Sequence, residues 1–148
     1  MNPSDEKIVS QALNILSQAL RQPGAVISSP EAVKQFLTLK LAQEQREIFG
    51  VLWLNVQNAV IATDDMFFGT LTSAAVYPRE VVKTALQCNA AAMICYHNHP
   101  SGRAEPSEAD RRITATLEAA LALVDVRLLD HIIVGGMKTY SFAESGLI

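Results

Sequence analysis

Long hydrophobic runs are the first thing this sequence lacks. The stretch from Ala90 to Tyr96 is among the longest, and a membrane-crossing helix needs about 20 apolar residues. No apolar signal core stands behind the polar, acidic start Met-Asn-Pro-Ser-Asp-Glu-Lys. Neither a membrane partner nor secretion is expected, and the expected compartment is cytoplasmic. A basic excess is missing too: 12 Lys and Arg stand against 15 Asp and Glu, a net charge of −3. Proteins that live by gripping phosphate usually carry the opposite balance, so charge does not support DNA as a partner. The two cysteines, Cys88 and Cys95, are too few for a disulfide framework or a four-thiolate zinc site. They suit a reduced compartment and are expected to behave as small buried hydrophobes. Repeats and low-complexity segments are absent as well.

What is present is apolar content, 49% of 148 residues, with 18% charged. That is ample for the core of one domain and excludes disorder. A first helix is expected from Asp5 to Arg21, capped by Ser4, with a wide stripe of Ile8, Val9, Ala12, Leu13, Ile15, Leu16, Ala19 and Leu20. Pro23-Gly24 stops it, and Ser29-Pro30 opens a second helix that buries Val33, Phe36, Leu37 and Leu41. Arg46 to Val56 reads as a central strand. Phe49, Val51 and Trp53 lie on one face, and Ile48, Leu52 and Leu54 on the other. A turn at Val56-Gln57-Asn58 leads into a strand from Ala59 to Thr63, and Thr72 to Val76 reads as another strand. Pro78 opens a helix carrying Val81, Val82, Ala85 and Leu86. Ala91 to Tyr96 is a buried strand. Glu108 to Leu123 is a helix with Ile113, Leu117 and Leu121 at four-residue spacing. Val126 to Val134 and Thr139 to Phe142 are strands on either side of a Gly135-Gly136 turn. This mixture specifies an α/β fold, a mixed sheet flanked by helices.

The chemistry concentrates between His97 and Asp110, directly after the buried strand, where a rigid scaffold hands the chain to a loop. If strand geometry continues, alternation places the imidazoles of His97 and His99 on one face. Asp110, near the start of the next helix, can be brought to them by the Pro- and Gly-containing loop. Two imidazoles and one carboxylate leave a fourth tetrahedral position free, the pattern of a catalytic zinc (Zn2+) site. Taken alone, His-x-His is equally an exposed pair, and Ser107-x-x-Asp110 is equally a capping box. Glu47, at the start of an otherwise apolar strand, is the candidate general base; a solvated strand end is its other reading.

Several neighbours have structural readings. Asn98 points away from the histidines and braces the loop, and Ser101 and Gly102 shape the turn. His131 makes a structural hydrogen bond. Arg103, Arg111 and Arg112 form a small basic group, either solvated surface or a contact for substrate or nucleic acid. Deaminase chemistry needs His-x-Glu and a later Pro-Cys-x-x-Cys, and the chain has neither.

Glu47, His97-x-His99 and Ser107-x-x-Asp110 together resemble the JAMM signature of MPN+ (JAB-type) metalloproteases. The flanking sequence resembles the RadC-like branch. It does so at Gly69-Thr70-Leu71, Pro78-Arg79-Glu80, Asn89-Ala90-Ala91-Ala92, His97-Asn98-His99-Pro100-Ser101-Gly102, Pro106-Ser107, Asp130-His131-Ile132-Ile133-Val134-Gly135 and Tyr140-Ser141-Phe142-Ala143-Glu144. Family members usually carry histidine where Tyr77 stands. The resemblance implies an MPN/JAB domain, a cytidine-deaminase-like sandwich, over 29–148, with 1–28 as a helical extension. Full-length RadC proteins carry an N-terminal helix-hairpin-helix for which that extension is too short, so the chain is similar to stand-alone RadC-like proteins of mobile elements.

The resemblance further implies zinc on His97, His99 and Asp110, and Glu47 as the base. It implies Ser107 as hydrogen-bond donor to the oxyanion, and hydrolysis of a peptide or isopeptide bond in a peptide or protein substrate. The rival function is a DNA repair or recombination accessory, a label RadC-like proteins have long carried. A third is a non-catalytic module for protein contacts. A homo-oligomer is left open by the sequence.

Overall fold

A computed structural model describes residues 2–42, 44–69 and 76–148. In chain order the elements are α1 (Pro3–Leu20), α2 (Ala25–Ser28), α3 (Pro30–Leu41), β1 (Ile48–Leu54), β2 (Val60–Phe68), α4 (Pro78–Gln87), β3 (Ala92–Asn98), α5 (Glu108–Ala122), β4 (Arg127–Gly135) and β5 (Lys138–Ser141). The five strands form one sheet in the order β2-β1-β3-β4-β5. Among the described residues, only β3 and β4 run parallel, joined by the crossover helix α5; the other pairs are antiparallel. The result is the expected α/β mixed sheet flanked by helices.

The sheet is covered on both faces, which is why β1 and β3 are apolar at almost every position and fully buried. Ile48, Leu52, Leu54, Ile94 and Tyr96 pack with Leu20, Val26, Val33, Phe36 and Leu37 from α1 to α3. Phe49, Val51, Trp53, Met93 and Cys95 pack with Val81, Ala85, Leu117 and Leu121 from α4 and α5. Each such large side chain, taken fully out of water, contributes about 1.5–3 kcal/mol. The β1 face assignment read from the sequence holds on both sides.

Four details depart from the sequence reading. Asn2, not Ser4, caps α1: its Oδ1 accepts from the Asp5 amide at 2.8 Å. Both residues suit a cap, but Pro3 fits the first helical turn, so the helix starts earlier. The α1 stripe is only partly covered. Leu20 is buried and Leu13 and Leu16 half-covered, while Ile8 and Ile15 stay 63% and 68% exposed, because only the C-terminal part of the helix reaches the core. A short helix, α2, fills the connection between the stop at Pro23-Gly24 and the Ser29-Pro30 start, where the sequence signals no element. Finally, β2 extends to Phe68 rather than ending at Thr63.

The length of β2 has a physical cause. Two irregularities in its pairing with β1, at Phe49/Gly50 and Trp53/Leu54, reset the alternation. Its acids are also bonded within the fold. Asp64 accepts from the Trp53 indole at 2.9 Å, and Asp65 accepts from the Tyr96 hydroxyl at 2.6 Å and pairs with Lys40 at 3.2 Å. Gly50 makes the second contact possible, since a Cβ there would stand 2.3 Å from the Tyr96 ring. The expected strand Thr72–Val76 lies almost wholly outside the described residues, as do Thr70 and Leu71. Among the described residues no helix is long and apolar enough to cross a membrane.

Candidate metal centre

The strand β3 runs through His97 and Asn98, so the alternation invoked for the histidines does continue. His97 is buried on the α5 face at 1% exposure. His99 lies just past the strand, and its amide donates to the Val134 carbonyl at 2.8 Å, which carries the β3–β4 pairing one step further. The two imidazole centroids are 4.9 Å apart, nearly perpendicular.

Asp110 comes to them as the third residue of α5. Ser107 Oγ accepts from the Asp110 amide at 3.1 Å, and Asp110 Oδ2 accepts from the Ser107 amide at 2.8 Å, a reciprocal capping box. The cap and the ligand readings of this motif are therefore compatible, because the box fixes a fully buried carboxylate between the histidines. Asp110 Oδ2 is 3.1 Å from His99 Nε2, and Oδ1 is 3.2 Å from His97 Nδ1. Burial alone would push this carboxyl up. The imidazoles of His97 and His99 and the Ser107 amide outweigh it and hold the group well below the usual carboxylate range. The Asp110 carboxylate in turn raises His99 above its ordinary value, against the opposing effect of burial.

Glu47 sits one residue before β1, with its side chain 22% exposed. Its Oε2 lies 3.3 Å from His97 Nε2. With that nitrogen turned to Glu47, His97 Nδ1 faces Asp110 Oδ1. Both of those atoms are buried, and neither has a hydrogen-bond partner. Buried polar atoms are normally satisfied. An acceptor-only oxygen set against an imidazole nitrogen without a hydrogen bond suits a cation. One ligand atom each from His97, His99 and Asp110 lies within 4.8 Å of the others, a group that could hold a metal ion.

The comparison with protein families bears on the same segment. The RadC-like JAB domain family matches residues 27–147. The chain belongs to that family. It is similar to the UPF0758 protein YkfG of Escherichia coli (strain K12), 49% identical over 148 residues that span 100% of this chain and 94% of the relative. The UPF0758 protein YeeS of the same organism is 48% identical over 148 residues, 100% of each chain. The UPF0758 protein PSHAa2643 of Pseudoalteromonas translucida (strain TAC 125) is 55% identical over 142 residues, 93% of this chain and 63% of the relative.

Around the candidate metal group of this RadC-like JAB domain stand residues that motif reading passed over. His99 Nδ1 is 2.8 Å from the Arg103 carbonyl, so it donates there, and Nε2 is the nitrogen turned to Asp110 Oδ2. The loop that carries Arg103 crosses β4 at Gly135, where a Cβ would stand 2.6 Å from the Arg103 carbonyl carbon. Beyond its place in the Gly135-Gly136 turn, Gly135 ends a buried strand, and a glycine there is the signal that a second segment passes close by. The Gly102 amide donates to the His99 carbonyl at 3.0 Å, which closes the expected turn. Arg103, Arg111 and Arg112 have exposed side chains.

Thr114 is the other overlooked residue. Its hydroxyl donates to the Asp110 carbonyl at 2.6 Å and accepts from His131 Nδ1 at 2.6 Å, tying the first turns of α5 to β4. Its spacing of four from Asp110 puts both on one helix face. His131 makes the structural hydrogen bond expected of it and stacks on Phe142 at 4.6 Å. Burial, with His97 nearby, pushes its imidazole down to about 3, so it is neutral.

Proposed function

We propose that this RadC-like JAB domain is a zinc-dependent hydrolase of an amide bond, peptide or isopeptide, in a peptide or protein substrate. The observation that carries the reading is the convergence of His97, His99 and Asp110, one candidate ligand atom of each within 4.8 Å of the others, with the Glu47 carboxylate 3.3 Å from His97 Nε2. His97, His99 and Asp110 would hold the ion, and two imidazoles with one carboxylate leave a coordination position open, as catalytic zinc sites do. A zinc ion, when bound, supplies the Lewis acidity that makes water a nucleophile near neutral pH.

The remaining work falls to the chain itself. Glu47, partly solvated and beside the ligand His97, takes the proton from the attacking water and returns it to the leaving amine. The Ser107 oxygen already accepts from Asp110, so its hydroxyl hydrogen is left to donate to the oxyanion that develops on the substrate carbonyl. The Asp110 carboxyl stays ionised across the physiological range, since its neighbours hold it low. The likeness of the Glu47, His97-x-His99 and Ser107-x-x-Asp110 set to the JAMM signature supports the amide as the bond attacked.

The test is elemental analysis of the purified protein beside a His97→Ala/His99→Ala variant, followed by assays on peptide and isopeptide substrates. The expected result is about one zinc per wild-type chain, none in the double variant, and hydrolysis that follows the metal. Wild-type protein that takes up no zinc after reconstitution would overturn the proposal.

A further inference from the structure

We infer that Asn98 is a positioning residue that sets where the Glu47 carboxylate stands. The inference deepens the proposal above and rests on its assignment of Glu47. Asn98 is 3% exposed, and both ends of its side-chain amide are committed to the backbone on either side of Glu47. Oδ1 accepts from the Ile48 amide at 2.7 Å, and Nδ2 donates to the Arg46 carbonyl at 3.0 Å. These partners dictate the orientation of the amide, because the N–H needs an acceptor and the carbonyl a donor.

The reason for a side chain in this place is topological. The β1–β3 ladder ends at Phe49↔His97. One step beyond, the Asn98 amide stands in for a strand and holds the chain through residues 46 to 48. From the other side the Gly69 amide donates to the Glu47 carbonyl at 2.8 Å. Backbone freedom at Glu47 is thereby removed, and only its side-chain torsions remain. On β3, His97 and Asn98 are neighbours that point to opposite faces. One face offers the candidate ligand, and the other fixes the candidate base 3.3 Å from that ligand. The spacing of base and metal group is set within two residues of one strand.

Only an amide satisfies both partners. Asn98→Asp keeps the acceptor for Ile48 but sets an acceptor against the Arg46 carbonyl. Asn98→Ala frees both. A displacement of about 1 Å at a catalytic group is enough to cost about 10²-fold in rate.

The test uses cobalt(II) as the probe metal and reads the visible spectrum of the loaded protein against pH. The variants are Glu47→Gln, Asn98→Ala, Asn98→Asp and Glu47→Gln/Asn98→Ala, each first checked for folding by circular dichroism. Glu47→Gln is expected to move the pH midpoint of the spectral change. Asn98→Ala should move it in the same direction at unchanged cobalt stoichiometry. The double variant should show no shift beyond that of Glu47→Gln. Asn98→Asp, which retains one of the two bonds, provides the same readout should the alanine variant not fold. An Asn98 profile superimposed on wild type, or a shift that adds to that of Glu47→Gln, overturns the inference alone. No shift in Glu47→Gln overturns the assignment of Glu47 and the inference with it. No cobalt uptake by the wild type overturns the metal reading itself.

Discussion

Gly135 and Arg103 meet main chain to main chain, so closely that a Cβ on the glycine would stand 2.6 Å from the Arg103 carbonyl carbon and 2.7 Å from its oxygen. That oxygen accepts from His99 Nδ1 at 2.8 Å. A residue with no side chain thus determines which nitrogen of a candidate ligand faces Asp110.

Gly135→Ala is therefore expected to weaken metal binding without touching a ligand. Backbone rather than a flexible side chain blocks the added methyl, so the loop must move and take the His99 acceptor with it. Loss of an outer partner of a ligating histidine typically costs about 10–100-fold in affinity. Competition with a chelator reads this directly, and wild-type affinity in the variant would break the link between Gly135 and His99.

Glu47→Gln should retain the metal and lose hydrolysis. Removing a positioned general base typically lowers the rate by about 10²–10⁴-fold, while none of the three ligand atoms is altered. Zinc content and turnover, measured on the same preparation, separate the two effects. Turnover at the wild-type rate would take Glu47 out of the mechanism.

Ser107 holds two roles that substitution can separate. Ser107→Ala loses the helix cap and is expected to cost about 1 kcal/mol; Ser107→Gly costs only a few tenths. If the hydroxyl serves the oxyanion, the two variants lose the same share of turnover despite their different stabilities. Turnover that tracked melting temperature instead would leave Ser107 as a cap alone.

His131 makes stability depend on pH in a defined window. Unfolded, an imidazole takes up its proton near pH 6.5; in the fold, burial and His97 hold it down to about 3. Between these values the unfolded chain binds more protons, so stability falls as pH falls. From pH 7 to pH 5 this residue should remove about 2 kcal/mol, at about 1.4 kcal/mol per unit. Urea unfolding of the metal-free protein at both pH values tests it. His131→Gln, although less stable at pH 7, should lack this part of the slope; an identical slope would refute the assignment.

The residues that bring the site together were legible because they sit in one short segment with local geometry. Alternation along β3 and a capping box at α5 follow from neighbouring residues, and both histidines and Asp110 are placed by them. Partners brought by the sheet were not legible. That Asn98 points away from the histidines could be read from alternation, but its targets at Arg46 and Ile48 depend on a pairing between β1 and β3 some fifty residues away. The same holds for Asp64 and Asp65, which look like solvent residues until Trp53 and Tyr96 arrive across the sheet. At α1 the difficulty was of another kind: two residues able to cap, Asn2 and Ser4, flank Pro3, and the fit of Pro3 to the first helical turn decides for Asn2.

The reciprocal bond between Ser107 and Asp110 has a consequence for the life of the protein without a bound ion. Oδ2 of Asp110 completes the start of α5 by accepting from the Ser107 amide, and Oδ1 stays uncommitted. The polypeptide builds the helix end from its own atoms, so a chelator removes nothing that holds it. If a metal binds, loading and stripping would be exchange at a preformed group of side chains, with no chain ordering to repeat at each cycle, unlike small domains that fold only around their metal. Such a domain would stay folded when metal is scarce.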